Sequence, residues 1–174
     1  MNKAVRNTDM SVQTRFTPDA TNTRAYRDAL GQFSTGVTVV TAQTADGPTG
    51  MTANSFTSVS LDPPLVLWSL AKSSARYALF AGADRFAINV LNAAQGELAL
   101  LFAKDGGHFT AENSYDHHGL PLLHGVLSAF ECSLEKTVDA GDHTLILGRV
   151  TNVTLGDGAP LVFHHGKFGG FHES

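Results

Sequence analysis

The chain has 174 residues, 43% of them hydrophobic and 16% charged, with a net charge of −4 and one cysteine, Cys132. This is the size of one ordinary domain with enough apolar material for a core, and without any basic block it offers no footprint for nucleic acid. An internal disulfide and a CxxC metal or redox pair are excluded, no apolar run reaches the roughly 20 residues of a membrane span, and MNKAVRNTDMSVQTRF lacks the apolar stretch of a signal peptide, so the chain reads as cytoplasmic with no membrane partner.

Residues 1 to 20 are polar and aperiodic and read as a disordered tail, leaving 21–174 as the folded domain. Thr23 to Phe33 sets Tyr26, Ala29, Leu30 and Phe33 at helical spacing, with Gly36 as a stop. GVTVVTAQ, from Gly36 to Gln43, is rich in β-branched residues and predicts a strand. Asp46-Gly47 signals a hairpin into a second strand, Thr49 to about Ser60. After Pro63-Pro64, the run Leu65 to Leu70 predicts a third strand, apolar enough for burial on both faces. Ser73 or Ser74 is a candidate N-cap for a helix through about Ala83. FAINVL, Phe86 to Leu91, predicts a strand, and Gln95 to Ala103 a short helix with Leu98, Leu101 and Phe102 facing inward. Lys104 to Gly119 reads as a polar loop. Strands resume over Leu122–Thr137, His143–Leu155 and Leu161–His165. Strand follows strand at both ends of the chain, which favours a mostly antiparallel barrel with short helices over a doubly wound sheet.

Three segments could carry chemistry. Thr52-Ala53-Asn54-Ser55 is a strand of small polar residues, suited either to hydrogen bonds at the edge of a flat ring or to a plain sheet edge. Lys72-Ser73-Ser74 opens a helix, with Arg76 one turn on. Unpaired N–H groups and a positive dipole end favour a phosphate there, and an ordinary serine cap beside a solvated lysine is the other reading. Gly141-Asp142-His143 forms a turn whose histidine either meets a ligand at a strand mouth or lies on the surface. The pairs His117-His118 and His164-His165 point to opposite faces of a strand, so each pair could supply one ligand, and no metal is expected. Cys132 reads as a buried small hydrophobe. GxGxxG, GK[ST], HExxH and GxSxG motifs are all missing, so an enzyme built on this chain would let its cofactor carry the reaction.

Five segments in this order resemble the short-chain flavin reductase family, the reductase partners of two-component flavin-dependent monooxygenases. They are FSTGVTVVT, GMTANSFTSVSLDPPLVLWSL, KSSARYALFAGADRFAINVL, the GDH step with its strand, and PLVFHHGKFGG, and they span Tyr26 to Phe171. The resemblance implies an FMN-binding split β-barrel, antiparallel and Greek-key-like, assembled as a homodimer. It implies that Thr52, Ala53, Asn54 and Ser55 line the isoalloxazine and ribityl chain. It further implies that Ser69, Leu70 and Ala71 run along the ring edge, and that Lys72, Ser73 and Ser74 hold the flavin phosphate. His143 would stand beside the nicotinamide as the catalytic position. Phe168 falls where many relatives place a tyrosine, so stacking is kept and the phenol hydrogen bond is lost.

The implied reaction is hydride transfer from NADH or NADPH to FMN or FAD, needing orientation and no protein base. Reduced flavin would then pass to a separate monooxygenase. Two alternatives keep the barrel: a flavoprotein that holds FMN tightly, and a non-enzymatic flavin or haem sensor or carrier.

Overall fold

The structure, a computed structural model, describes residues 14–172. Of the expected tail, residues 1–13 lie outside the described residues, and 14–20 are exposed and almost without regular structure. Helix α1 (Thr23–Leu30) leads into a strand-rich chain: β1 (Thr35–Gly36), β2 (Thr38–Thr44), β3 (Gly47–Ala53), β4 (Thr57–Leu61) and β5 (Pro64–Ala71). Helix α2 (Tyr77–Ala81), β6 (Arg85–Val90), a 3-10 turn (Ala93–Gln95) and α3 (Gly96–Lys104) follow. The chain then runs through β7 (Ser114–His117), β8 (Leu120–Leu123), β9 (Ser128–Ala140), β10 (His143–Leu155), β11 (Leu161–His164) and β12 (Lys167–Gly170).

Seven strands form one antiparallel sheet in the order β3-β2-β6-β9-β10-β5-β4. Small sheets β7-β8 and β1-β11-β12 flank it. Strands β3 and β4 are consecutive in sequence yet stand at opposite edges of the large sheet. Only Asn54, Ser55 and Phe56 link them, so the sheet must curl until its edges meet, and these residues are the seam.

Two apolar clusters pack on the two faces of this curled sheet. One holds Val37, Val39, Ala87, Leu91, Phe102, Leu122, Ala129 and their neighbours. The other holds Val40, Val66, Trp68, Leu70, Phe80, Phe86, Ile88, Cys132 and Ile146. In β2 and β6 successive residues alternate between the clusters, as Val39 and Val40 do, so both faces are covered. Trp68 meets Phe80 and Phe86 edge to face, with centroids 5.5 and 6.2 Å apart, and each such buried side chain contributes about 1.5–3 kcal/mol. Gly50 admits the ring of Phe102, since a Cβ there would lie 2.5 Å from it.

A buried polar cluster ties β8 to the sheet. The Asn89 amide donates to the Val39 carbonyl (3.0 Å) and to Thr41 Oγ1 (3.1 Å), and its Oδ1 accepts from the Leu123 N–H (3.0 Å). Thr41 Oγ1 in turn donates to the Pro121 carbonyl at 2.5 Å. Glu131, also buried, meets His117 Nδ1 and Asn152 Nδ2, each at 2.9 Å.

Several elements differ from the sequence expectation. The strand expected over Thr49–Ser60 breaks at the seam, because Asn54-Ser55 turn the chain without any Gly or Pro. Strand β5 buries Val66, Trp68 and Leu70 on one face only, while Leu65, Leu67 and Ser69 stay half-buried. Double burial belongs instead to β2 and β6. The Lys104–Gly119 loop contains β7. Leu101 is exposed, and α3 buries Ala99 and Phe102. Helix α2 begins at Tyr77 with Arg76 as its N-cap, so neither Ser73 nor Ser74 caps it. Those serines lie in a turn after β5, and the Ser74 hydroxyl accepts from the Arg76 N–H at 3.2 Å.

Candidate active site

The seam forms one wall of a broad groove. The Ser55 hydroxyl accepts from the Ser69 N–H at 2.9 Å and donates to the Ser69 carbonyl at 3.3 Å, which stitches the seam to β5. Phe56 stacks on Phe130 with centroids 5.5 Å apart, and Thr38 Oγ1 donates to the Ala53 carbonyl at 2.7 Å. Asn54 is left exposed, and among the described residues its amide has no hydrogen-bond partner. It is therefore free to meet the edge of a ligand.

Across the groove, β10 pairs with β5 so that His143 faces Ala71 and Leu145 faces Ser69. His143 Nδ1 lies 2.7 Å from Asp142 Oδ1. A carboxylate only accepts, so Nδ1 carries the proton and Nε2 is the nitrogen left uncommitted. The hydrogen bond from His143, helped by its charge, holds the Asp142 carboxyl below the usual carboxylate range. The groove, about 640 Å³, is lined by Asn54, Ser55, Ser69 and His143 together with Arg27, Leu30, Gly31, Phe33, Thr35, Ala140, Leu145 and Phe163. A volume of this size with mostly apolar walls and few polar groups suits a flat organic ligand, and a flavin ring fits that description.

A smaller apolar slot of about 280 Å³ adjoins it, lined by Thr52, Ala53, Asn54, Val37, Leu100, Ala103, Phe163 and Phe168. Asn54 and Phe163 line both spaces. Phe168 packs near Phe163 with centroids 5.7 Å apart, so the rings form a continuous apolar surface. The Thr52 hydroxyl is committed to the Ala99 carbonyl at 2.6 Å.

Ser69, Leu70 and Ala71 divide by strand alternation. The Leu70 side chain is fully buried in the core. The Ser69 N–H and carbonyl point away from β10, toward Ser55, so the Leu70 amide points to β10 and the Ala71 N–H points to the open side. Ala71 is thus the free backbone donor of the three.

The Lys72-Ser73-Ser74 turn lies just outside these spaces. Lys72 Nζ pairs with the Asp139 carboxylate and donates to the Gly141 carbonyl at 2.6 Å. Its hydrogen bond and charge hold Asp139 below the carboxylate range. This exposed pair is the kind that exchanges readily. Arg76 is tied down: its guanidinium donates to the carbonyls of Gly50 (2.7 Å), Phe102 (2.7 Å) and Ala103 (2.9 Å). Burial lowers its pKa from the ordinary arginine value. It fastens α3 to β3.

Four of the expected residues therefore meet in the main groove and four in the slot, Asn54 in both. Leu70, Ala71, Lys72, Ser73 and Ser74 line neither. The wall from Arg27 to Thr35 was missed by sequence reasoning. Its only signal was an arginine in the last turn of an amphipathic helix, which is also where arginine complements the dipole. Among the described residues no group of three or more His, Cys, Asp and Glu side chains could hold a metal, and no helix is long and apolar enough to cross a membrane.

Comparison with known proteins bears on this geometry. The flavin reductase like domain matches residues 30–172. The FMN reductase (NADH) SmoA of Agrobacterium fabrum is 52% identical over 157 residues, covering 90% of each chain. The reductase component of a flavin-dependent trigonelline monooxygenase from Acinetobacter baylyi is 45% identical over 154 residues, and the match spans 86% of this chain and half (50%) of that longer relative. Among solved structures, the NADH:FAD oxidoreductase SgcE6 of Streptomyces globisporus, in complex with NAD and FAD fragments, superposes with a TM-score of 0.82 at 36% identity, covering 91% of this chain and 98% of that one.

Proposed function

From the premise that the chain belongs to the flavin reductase like family, we propose that it is an NADH-dependent reductase of free FMN that supplies reduced flavin to a separate monooxygenase. The observation that carries this is the groove itself: a flat, mostly apolar space closed on one side by the uncommitted Asn54 amide and on the other by His143 oriented by Asp142. The names of the relatives support the substrates, FMN and NADH from the nearly full-length match to SmoA, and a monooxygenase as recipient from the trigonelline system.

Flavin, when bound, accepts the hydride, and the chain's residues arrange its surroundings. Asn54 and the Ala71 N–H offer hydrogen bonds to the ring edge, with Ser55 and Ser69 holding their backbone in place. Thr52 and Ala53 shape the adjoining slot, and Phe163 and Phe168 supply its apolar surface. Phe168 gives stacking area and no hydrogen bond. His143 stands where a nicotinamide approaches and orients it, and it transfers no proton. Lys72, Ser73 and Ser74 present a lysine, two hydroxyls and turn amides to the flavin phosphate, with Asp139 exchanged for it.

The same reading includes a homodimer. Helix α1 buries none of its residues, leaving Tyr26 and Leu30 exposed with Phe33 just beyond it, and Leu61, Val153 and Leu155 are exposed on the sheet. A second copy covering these surfaces would close the α1 side of the groove. A cytoplasmic location fits the supply of NADH.

The test is NADH and NADPH oxidation followed at 340 nm with FMN, FAD or riboflavin. Saturable oxidation with free FMN, fastest with NADH, is expected. Folded protein that binds flavin and oxidises neither nucleotide would move the function to a carrier or sensor.

A further inference from the structure

Among the described residues, several cations are committed to partners and others, among them Arg15, Arg24, Lys104, Lys136 and Lys167, are not. Arg76 is held by three carbonyls, Arg85 donates to the His118 carbonyl at 3.0 Å, Arg149 is paired with Glu135, and Lys72 with Asp139. Arg27 is the member of the uncommitted set that lines the 640 Å³ groove, and its guanidinium makes no hydrogen bond or ion pair among the described residues. It is also the one lining residue with a permanent positive charge; His143 is engaged through Nδ1 with Asp142. After His143, Arg27 also contributes to the field that holds Asp142 low, which places its charge at the same end of the groove.

An anionic nucleotide entering a chain of net charge −4 meets an unfavourable average field, so a local cation decides whether its phosphate is accepted. The expected cation for that task, Lys72, is shared with a carboxylate. A guanidinium with five free donors on a groove wall matches phosphate oxygens two at a time. We propose that Arg27 is the phosphate-binding residue of the groove, receiving a phosphate group of a nucleotide substrate. This rests on the proposed reductase function. With the flavin phosphate given to Lys72, Ser73 and Ser74, the group received is the pyrophosphate of the nicotinamide dinucleotide, and the test separates it from the phosphate of FMN.

The test is equilibrium binding of FMN, riboflavin and NADH, each alone, by fluorescence quenching or calorimetry, to the wild-type protein, Arg27→Ala and Arg27→Lys. Riboflavin has the ring of FMN without its phosphate. Loss of a charge-assisted contact weakens binding by about tenfold to a hundredfold. If Arg27→Ala weakens FMN by that factor and leaves riboflavin unchanged, Arg27 holds the flavin phosphate in place of Lys72, Ser73 and Ser74. If it weakens NADH and spares both flavins, Arg27 holds the pyrophosphate. In either case Arg27→Lys recovers part of the loss, and salt weakens wild-type binding more than that of Arg27→Ala. Equal weakening of FMN and riboflavin, or no change in any ligand, overturns the proposal. Wild-type protein that shows the Arg27 effect but oxidises no NADH would leave this inference standing and remove the reductase reading. Wild-type protein that binds none of the three ligands removes both.

Discussion

Polar residues behind the sheet and those along the groove are used in opposite ways. Around β8, Asn89 donates twice and accepts once, and Thr41 both donates and accepts, with every partner inside the chain. Along the groove, the Asn54 amide, one nitrogen of His143 and the Arg27 guanidinium have no partner among the described residues. Both sets border the same curled sheet. The first is consumed by folding, because a buried polar group without a partner costs more than its hydrogen bond returns. The second can stay open because water satisfies it until a ligand arrives. Commitment of donors, more than residue type, separates the structural side of this molecule from its working side.

The largest effect that would sharpen this contrast is at His143. His143→Ala should slow flavin reduction in stopped-flow by about tenfold to a hundredfold, because orientation is lost. Oxidised FMN should bind within about twofold of wild type, since no contact to it is removed. A reduction rate equal to wild type would remove His143 from the site. Next is Asn89→Ala, which leaves the Leu123 N–H and the Val39 carbonyl short of a partner and should lower stability by about 1–3 kcal/mol in urea unfolding, with activity per folded molecule unchanged. Unaltered stability would mean that the Asn89 cluster is as open as the groove, and the comparison would fail.

The smallest effect concerns Cys132. Burial, with a smaller contribution from Glu131, pushes its thiol up to about 12. The folded protein should therefore resist iodoacetamide at pH 8 and react once denatured. The sign of the linked pH dependence follows. The unfolded thiol ionises near its ordinary value of about 8.5, below the folded one, so stability is full below about 8.5 and falls as pH rises toward about 12. Rapid labelling of the native protein would place Cys132 nearer to solvent than its packing implies.

Much of this was legible in the sequence, and the rest was hidden for identifiable reasons. The β-branched run of β2 and the apolar run FAINVL announced strands by composition alone, and Asp46-Gly47 announced the hairpin. The seam was invisible, because Asn54 and Ser55 break a strand through a long-range stitch to Ser69 that no local signal records. Ser73 and Ser74 carried a capping signature, but the turn after β5 continues to Arg76, whose guanidinium reaches carbonyls on β3 and α3. For the site, the convergence of Asn54, Ser55, Ser69 and His143 came through the family resemblance. Arg27 could not be read, because its place on the groove depends on how α1 is held, with the His165 N–H bonded to the Gly31 carbonyl at 3.1 Å and Ser34 Oγ lying 2.9 Å from His164 Nδ1.

The three-residue seam has a consequence for how such a protein can change. Asn54, Ser55 and Phe56 close the barrel, and the first two also border the ligand space. Variation there is filtered twice, once for a closed sheet and once for recognition, and few replacements will satisfy both. Helix α1 has no part in closing the sheet, and within its own chain none of its residues is buried. A lineage acquiring a taste for a different nucleotide, or an engineer building a library toward one, has its open ground on that helix, while the seam stays as the keel around which new preferences are laid.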